Sequence, residues 1–125
     1  MNFREFDAGP DPFGRKIHVM FKWLQTAISL RHSDTVDVKF ILAGDDGSRS
    51  EKVIALPHAD LLLAARENGR QMDDAWCSRI ACMQLLRLIE TGEDLEKEIV
   101  TVPYEGLSRY AAELARQERE AVQHA

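Results

Sequence analysis

Cys77 is the residue whose surroundings come closest to chemistry. It follows Asp73-Asp74, and Asp73 reads as a helix N-cap, so Cys77 falls in the first turn of that helix. Unpaired backbone N–H groups there favour a thiolate, which would be a nucleophile if a histidine served as base. Asp73 and Asp74 act in the opposite sense, because neighbouring carboxylates push a thiolate back toward the thiol. A buried thiol that keeps its proton is simply a small hydrophobe.

His58 and Asp60 make a second grouping. They follow Pro57 at a strand-to-helix junction, a place where free N–H groups can hold an anion. No glycine-rich loop precedes them, so a phosphate cradle is not expected. The plainer reading makes Asp60 a first-turn carboxylate that complements the helix dipole. His58, Asp60 and Cys77 are nevertheless the ligand-binding candidates for a pocket between a sheet and its helices.

Other reactive residue types are poorly placed. His18 and His32 would stand roughly 21 Å apart along one helix, too far to share a metal. His32-Ser33-Asp34 contains triad residue types, but sequence neighbours rarely reach triad geometry, and a local turn or cap is the better account. Asp45-Asp46-Gly47 lacks the alternating oxygen ligands of a calcium loop. The acidic run 93–98 reads as a solvated loop. Nucleotide-binding loops, zinc spacings and nucleophile elbows are all missing, so neither a metal nor a cofactor is expected.

Positioning these residues requires a small set of elements. The segment 15–32 carries no Gly or Pro, and its polar residues His18, Lys22, Gln25, Thr26, Ser29 and His32 cluster on one helical face. That pattern predicts a helix; the alternative is two further strands, with Ile17, Val19, Phe21 and Trp23 alternating. Residues 35–42 place Val36, Val38, Phe40 and Leu42 on one face. A polar turn at 44–48 then returns the chain through 51–56, giving a β-hairpin. Pro57 opens a helix that Asn68-Gly69 stops. A second helix runs from Asp73 to Gly92 with Cys77, Ala81, Cys82, Leu85, Leu88 and Ile89 as its core face. A short strand at 99–102 precedes a last helix opened by Pro103, whose end should fray from Gln117 onward. Residues 1–14, punctuated by Gly9, Pro10, Pro12 and Gly14, read as an extended arm before a single domain at 15–125.

The expected fold is therefore α+β: a short, mostly antiparallel sheet built on the 35–56 hairpin, with helices packed on one face. At 125 residues with 45% hydrophobic residues, the chain can bury a core without disulfides or metal. Its net charge of −5 argues against nucleic acid as a partner, despite Arg15, Lys16, Lys22 and Arg31. Cys77 and Cys82 are badly oriented for a mutual disulfide on one helix, and two free thiols fit the cytoplasm. No apolar run reaches the length of a membrane span.

With no reactive constellation, the expected function is a non-enzymatic protein–protein interaction domain forming a homodimer. The helix at 73–91 is apolar on a second side, which suggests Trp76, Ile80, Met83 and Arg87 as the dimer contact. The alternative is a small-molecule binder or enzyme with its pocket near His58, Asp60 and Cys77.

Overall fold

The strand run that alternates most cleanly forms the centre of the molecule. In a computed structural model, which describes residues 2–27 and 34–123, strand β3 (Thr35–Gly44) buries Val36, Val38, Phe40 and Leu42 and leaves the residues between them half-buried. It pairs antiparallel with β4 (Arg49–Pro57) through a tip in which Gly47 takes a φ of 87°. Asp46 Oδ1 holds that tip, accepting from the Ser48 backbone N–H at 3.0 Å and from its hydroxyl at 2.6 Å. On the other side β3 pairs with β2 (Ile17–Ala27), and β2 pairs with the edge strand β1 (Glu5–Ala8), which belongs to the N-terminal arm.

Two helices, α1 (His58–Glu67) and α2 (Asp74–Thr91), carry the chain over the sheet to β5 (Ile99–Thr101), which lies parallel to β4. The helix α3 (Tyr104–Gln123) closes the molecule against α1 and α2. The result is a five-stranded sheet in the order β1-β2-β3-β4-β5, antiparallel except at its last pair, with helices beside it. This is the α+β architecture the sequence predicts.

The helix ends follow local chemistry. Asp73 caps α2 by accepting from the Trp76 N–H at 2.8 Å, and Gly92 terminates it in the left-handed conformation. A side-chain cap of this kind contributes about 1 kcal/mol. The loss of its apolar stripe at Gln117 does not end α3. It stays helical to Gln123, supported by Arg116 between Glu113 and Glu120 and by Arg70 of the α1–α2 loop on Glu118 at 3.3 Å.

The segment 15–32 differs from its helical reading. Residues 17–27 form the strand β2, while 28–33, including Arg31, His32 and Ser33, lie outside the described residues. The cause is a β-bulge between Phe21 and Trp23. Val19 pairs with Leu42 and Phe21 with Phe40, both inward, but after the bulge it is Leu24, not Trp23, that stands beside inward-facing Val38. One extra residue thus moves the inward set from odd to even positions, and the spacing 17, 21, 24 imitates a helical face.

Helix α2 is the centre of the core. It touches β1, β2, β3, β4 and α3, so it is covered on more than one side. That explains its apolar second side, which the sequence assigned to a subunit contact. Trp76 is 1% exposed and Ile80 0%. Both are core residues of this chain and offer nothing to a partner.

Candidate functional site

The inward faces of the strands and the helices share one continuous core, and the other side of the sheet carries a different set of residues. Strand register places Asp7, His18, Ala43 and Arg49 across this outer face in one row. The next row is Glu5, Met20, Ile41 and Glu51, and the one beyond is Trp23, Lys39, Val53 and Ile99. Met20, Trp23, Ile41 and Val53 are only half-buried, and Ile99 is 63% exposed. An apolar band therefore crosses the centre of an otherwise polar face.

The bulge shapes that band. It turns two successive side chains, Lys22 and Trp23, to the outer side, which a regular strand cannot do. Lys22 reaches Glu51 at 3.2 Å, and Lys39 reaches the same carboxylate at 2.6 Å while its ammonium sits 5.6 Å from the Trp23 ring centre. The two lysines hold the Glu51 carboxyl below its ordinary pKa, Lys39 contributing most.

At the β1 corner His18 stands between two carboxylates, with Nδ1 2.7 Å from Asp7 and Nε2 2.8 Å from Glu5. Carboxylates only accept, so both contacts are hydrogen bonds only when the ring is an imidazolium donating from both nitrogens. The Asp7 bond, then the Glu5 bond, raise the His18 pKa above its ordinary 6.5. The pin that this ring places between β1 and β2 is then complete below about pH 6.5 and is lost as pH rises through the raised value. An NMR titration should find His18 above 6.5 and Asp7→Asn should bring it back toward that value. A wild-type ring titrating below 6.5 would remove the pin.

A second polar cluster lies at the same tip end of the hairpin, on the core side, where Arg15 reaches Ser48 Oγ at 3.3 Å. Asp11 is 5% exposed and accepts from the Phe13 and Arg15 N–H groups and from Arg15 Nε at 2.8 Å. Burial raises its pKa, but these bonds outweigh it and the carboxyl stays below the ordinary range. Lys52, also 5% exposed, donates to the carbonyls of Leu95 and Lys97. Desolvation lowers its pKa while Glu96 and Glu98 oppose that shift. Both cations border a cleft of about 440 Å³, yet each is already engaged by the protein itself. They fasten loops rather than await a ligand.

The residues singled out in the sequence are dispersed. Cys77 is buried, and burial, with Asp74 and Asp73 adding to it, pushes its thiol up to about 12. Cys82 is likewise buried and pushed up to about 12. Neither is a nucleophile at neutral pH. His58 and Asp60 sit half-buried at the start of α1, where the His58 N–H donates to the Asp34 carbonyl at 2.9 Å. The clefts described here include none of His58, Asp60 and Cys77 in their walls.

Of the four proposed interface residues, Met83 borders an apolar groove of about 530 Å³ between α2 and α3, with Phe3, Leu86 and Leu114. Arg87 lies at the surface, 3.6 Å from Glu93. Among the described residues, no group of three or more His, Cys, Asp or Glu is arranged to hold a metal, and no helix is long and apolar enough to cross a membrane. Comparison with protein-family models, curated proteins and solved structures finds no match, so the site is read from its own geometry.

The outer face is not legible while β2, which supplies Met20 and Trp23 to it, has a helical reading. The signal was present in β3 and β4, whose positions 41 and 53 are apolar on the side that a one-layer α+β fold leaves to solvent.

Proposed function

We propose that this chain is a non-enzymatic interaction domain that pairs with a second copy of itself through the outer face of its sheet. The observation that carries the reading is the apolar band of Met20, Trp23, Ile41, Val53 and Ile99 on that face. Trp is among the commonest interface anchors, Met is enriched in interface cores, and a polar rim around them is the usual anatomy of a protein contact.

The edges of the sheet favour the face over strand addition. β1 has 4 residues and β5 has 3, too short to template a long intermolecular ladder. The face itself is large enough. With strands about 4.8 Å apart and a rise of about 3.4 Å per residue, its outline is roughly 600 Å². Side-chain relief makes the accessible surface larger, close to the roughly 800 Å² per partner of a standard interface. The buried free thiols support a cytoplasmic setting, and the net charge of −5 supports a protein partner over nucleic acid.

Sedimentation equilibrium tests this directly. Wild type is expected to dimerise with a Kd on the order of micromolar. Ile41→Lys is expected to be monomeric, with its circular dichroism unchanged because Ile41 faces outward, and with the melting temperature of wild type diluted below its dimer Kd. Wild type that stays monomeric up to about 1 mM, far above that range, would overturn the proposal. So would a dimer that Ile41→Lys leaves intact.

A further inference from the structure

We infer, resting on that reading, that the two copies pack about a two-fold axis running parallel to the strands and centred over the β2–β3 boundary. The charges on the face select this axis. Its β1 side is acidic, with Glu5 and Asp7 flanking His18, and its β4 side carries Arg49 beside the Lys22–Lys39–Glu51 cluster. Arg49 is exposed and forms no ion pair among the described residues.

A two-fold contact is isologous, so every patch must face its own complement on the other copy. An axis parallel to the strands exchanges β1 with β4 and β2 with β3 while keeping the level along the strand, and it leaves β5 with Ile99 at the rim, beyond the overlap. At the central level Met20 then lies on Ile41 of the second copy. One level toward the hairpin tip, Asp7 lies opposite the second copy's Arg49. One level the other way, Trp23 lies opposite the second copy's Lys39, repeating across the interface the ring–ammonium contact already made within the chain.

Glu5 falls opposite Glu51, a carboxylate that Lys22 and Lys39 already neutralise. The other in-plane axis, perpendicular to the strands, keeps each strand over itself. It sets the acidic β1 side on the acidic β1 side and leaves Arg49 with no carboxylate partner. Two face-packed sheets are rotated by about 30° through their twist, which costs alignment least at the centre, where Met20 and Ile41 lie. At the corners the long Arg49 side chain can absorb the offset.

Charge reversal separates this arrangement from dimerisation as such. Asp7→Arg and Arg49→Asp are each expected to raise the dimer Kd at least tenfold, since the two-fold repeats each new repulsion. The double variant Asp7→Arg/Arg49→Asp is expected to return it to within about threefold of wild type. Arg49→Asp breaks no ion pair of the described chain, so it gives the same readout if Asp7→Arg loosens β1. If Ile41→Lys abolishes the dimer but Arg49→Asp leaves the Kd unchanged, the axis is wrong and the face stands. A double variant no tighter than the singles also overturns the axis. A monomeric wild type removes both inferences together.

Discussion

Ile80→Asp is expected to leave the protein unfolded at room temperature. Ile80 is 0% exposed on α2, with the sheet on one side of that helix and α3 on another. The substitution removes a branched side chain whose burial contributes about 1.5–3 kcal/mol. It also places a carboxyl in an apolar site, at a further cost of several kcal/mol even if the group neutralises itself by taking up a proton. Together these reach the lower end of the stability of a domain this size, about 5–15 kcal/mol. Urea unfolding followed by far-ultraviolet circular dichroism measures it. A variant that folds with a near wild-type midpoint would mean that α2 is not enclosed as described. The same change would be mild if Ile80 lay at a subunit surface, so the experiment also separates the two positions for the second side of α2.

Gly92→Val is expected to cost about 2–4 kcal/mol, from two separate sources. Gly92 ends α2 with a φ of 75° while its N–H donates to the Leu88 carbonyl at 2.8 Å. A side chain in that left-handed conformation costs about 1–2 kcal/mol. In addition, a Cβ there would stand 2.8 Å from Pro12 Cγ. Pro12 cannot swing away easily, because its loop is tied by Asp11 to the Phe13 and Arg15 N–H groups. Gly69 isolates the first source: it has a φ of 60° and no atom near its Cβ position. Gly69→Val should therefore cost only the backbone share, and equal losses at the two sites would show that the Pro12 contact is soft. Chemical denaturation of the pair of variants gives the comparison.

Where local chemistry decides the structure, the sequence is easily read. The 35–56 hairpin follows from alternation around a turn rich in Gly and Asp. Helix α2 follows from an aspartate cap and a terminal glycine. The strand β5 follows from Ile99-Val100-Thr101 before Pro103. Segment 17–27 could not be read that way, because a bulge is a tertiary accommodation with no residue signature of its own at Phe21–Trp23. Misreading it removed one strand from the sheet and hid the face that Met20 and Trp23 share with Ile41. Trp76 and Ile80 failed for a related reason. An apolar second side fits both a buried helix and an interface helix, and only the number of layers around α2 distinguishes them. The acidic pair beside His18 was invisible while β1 had no place in the sheet, since Glu5 and Asp7 reach the ring only through strand register.

The position of Lys39 bears on how the unpaired chain behaves in water. Its stem spans the middle of the apolar band, with the ammonium between the Trp23 ring and the Glu51 carboxylate. It thereby divides what would be one continuous greasy surface into smaller islands, the role that gatekeeper charges play in strands exposed to solvent. In the dimer proposed above, a copy released from its partner would keep a wettable face that does not invite non-specific aggregation. For such a dimer, reversible association would depend on that dispersal as much as on the contacts made when two faces meet.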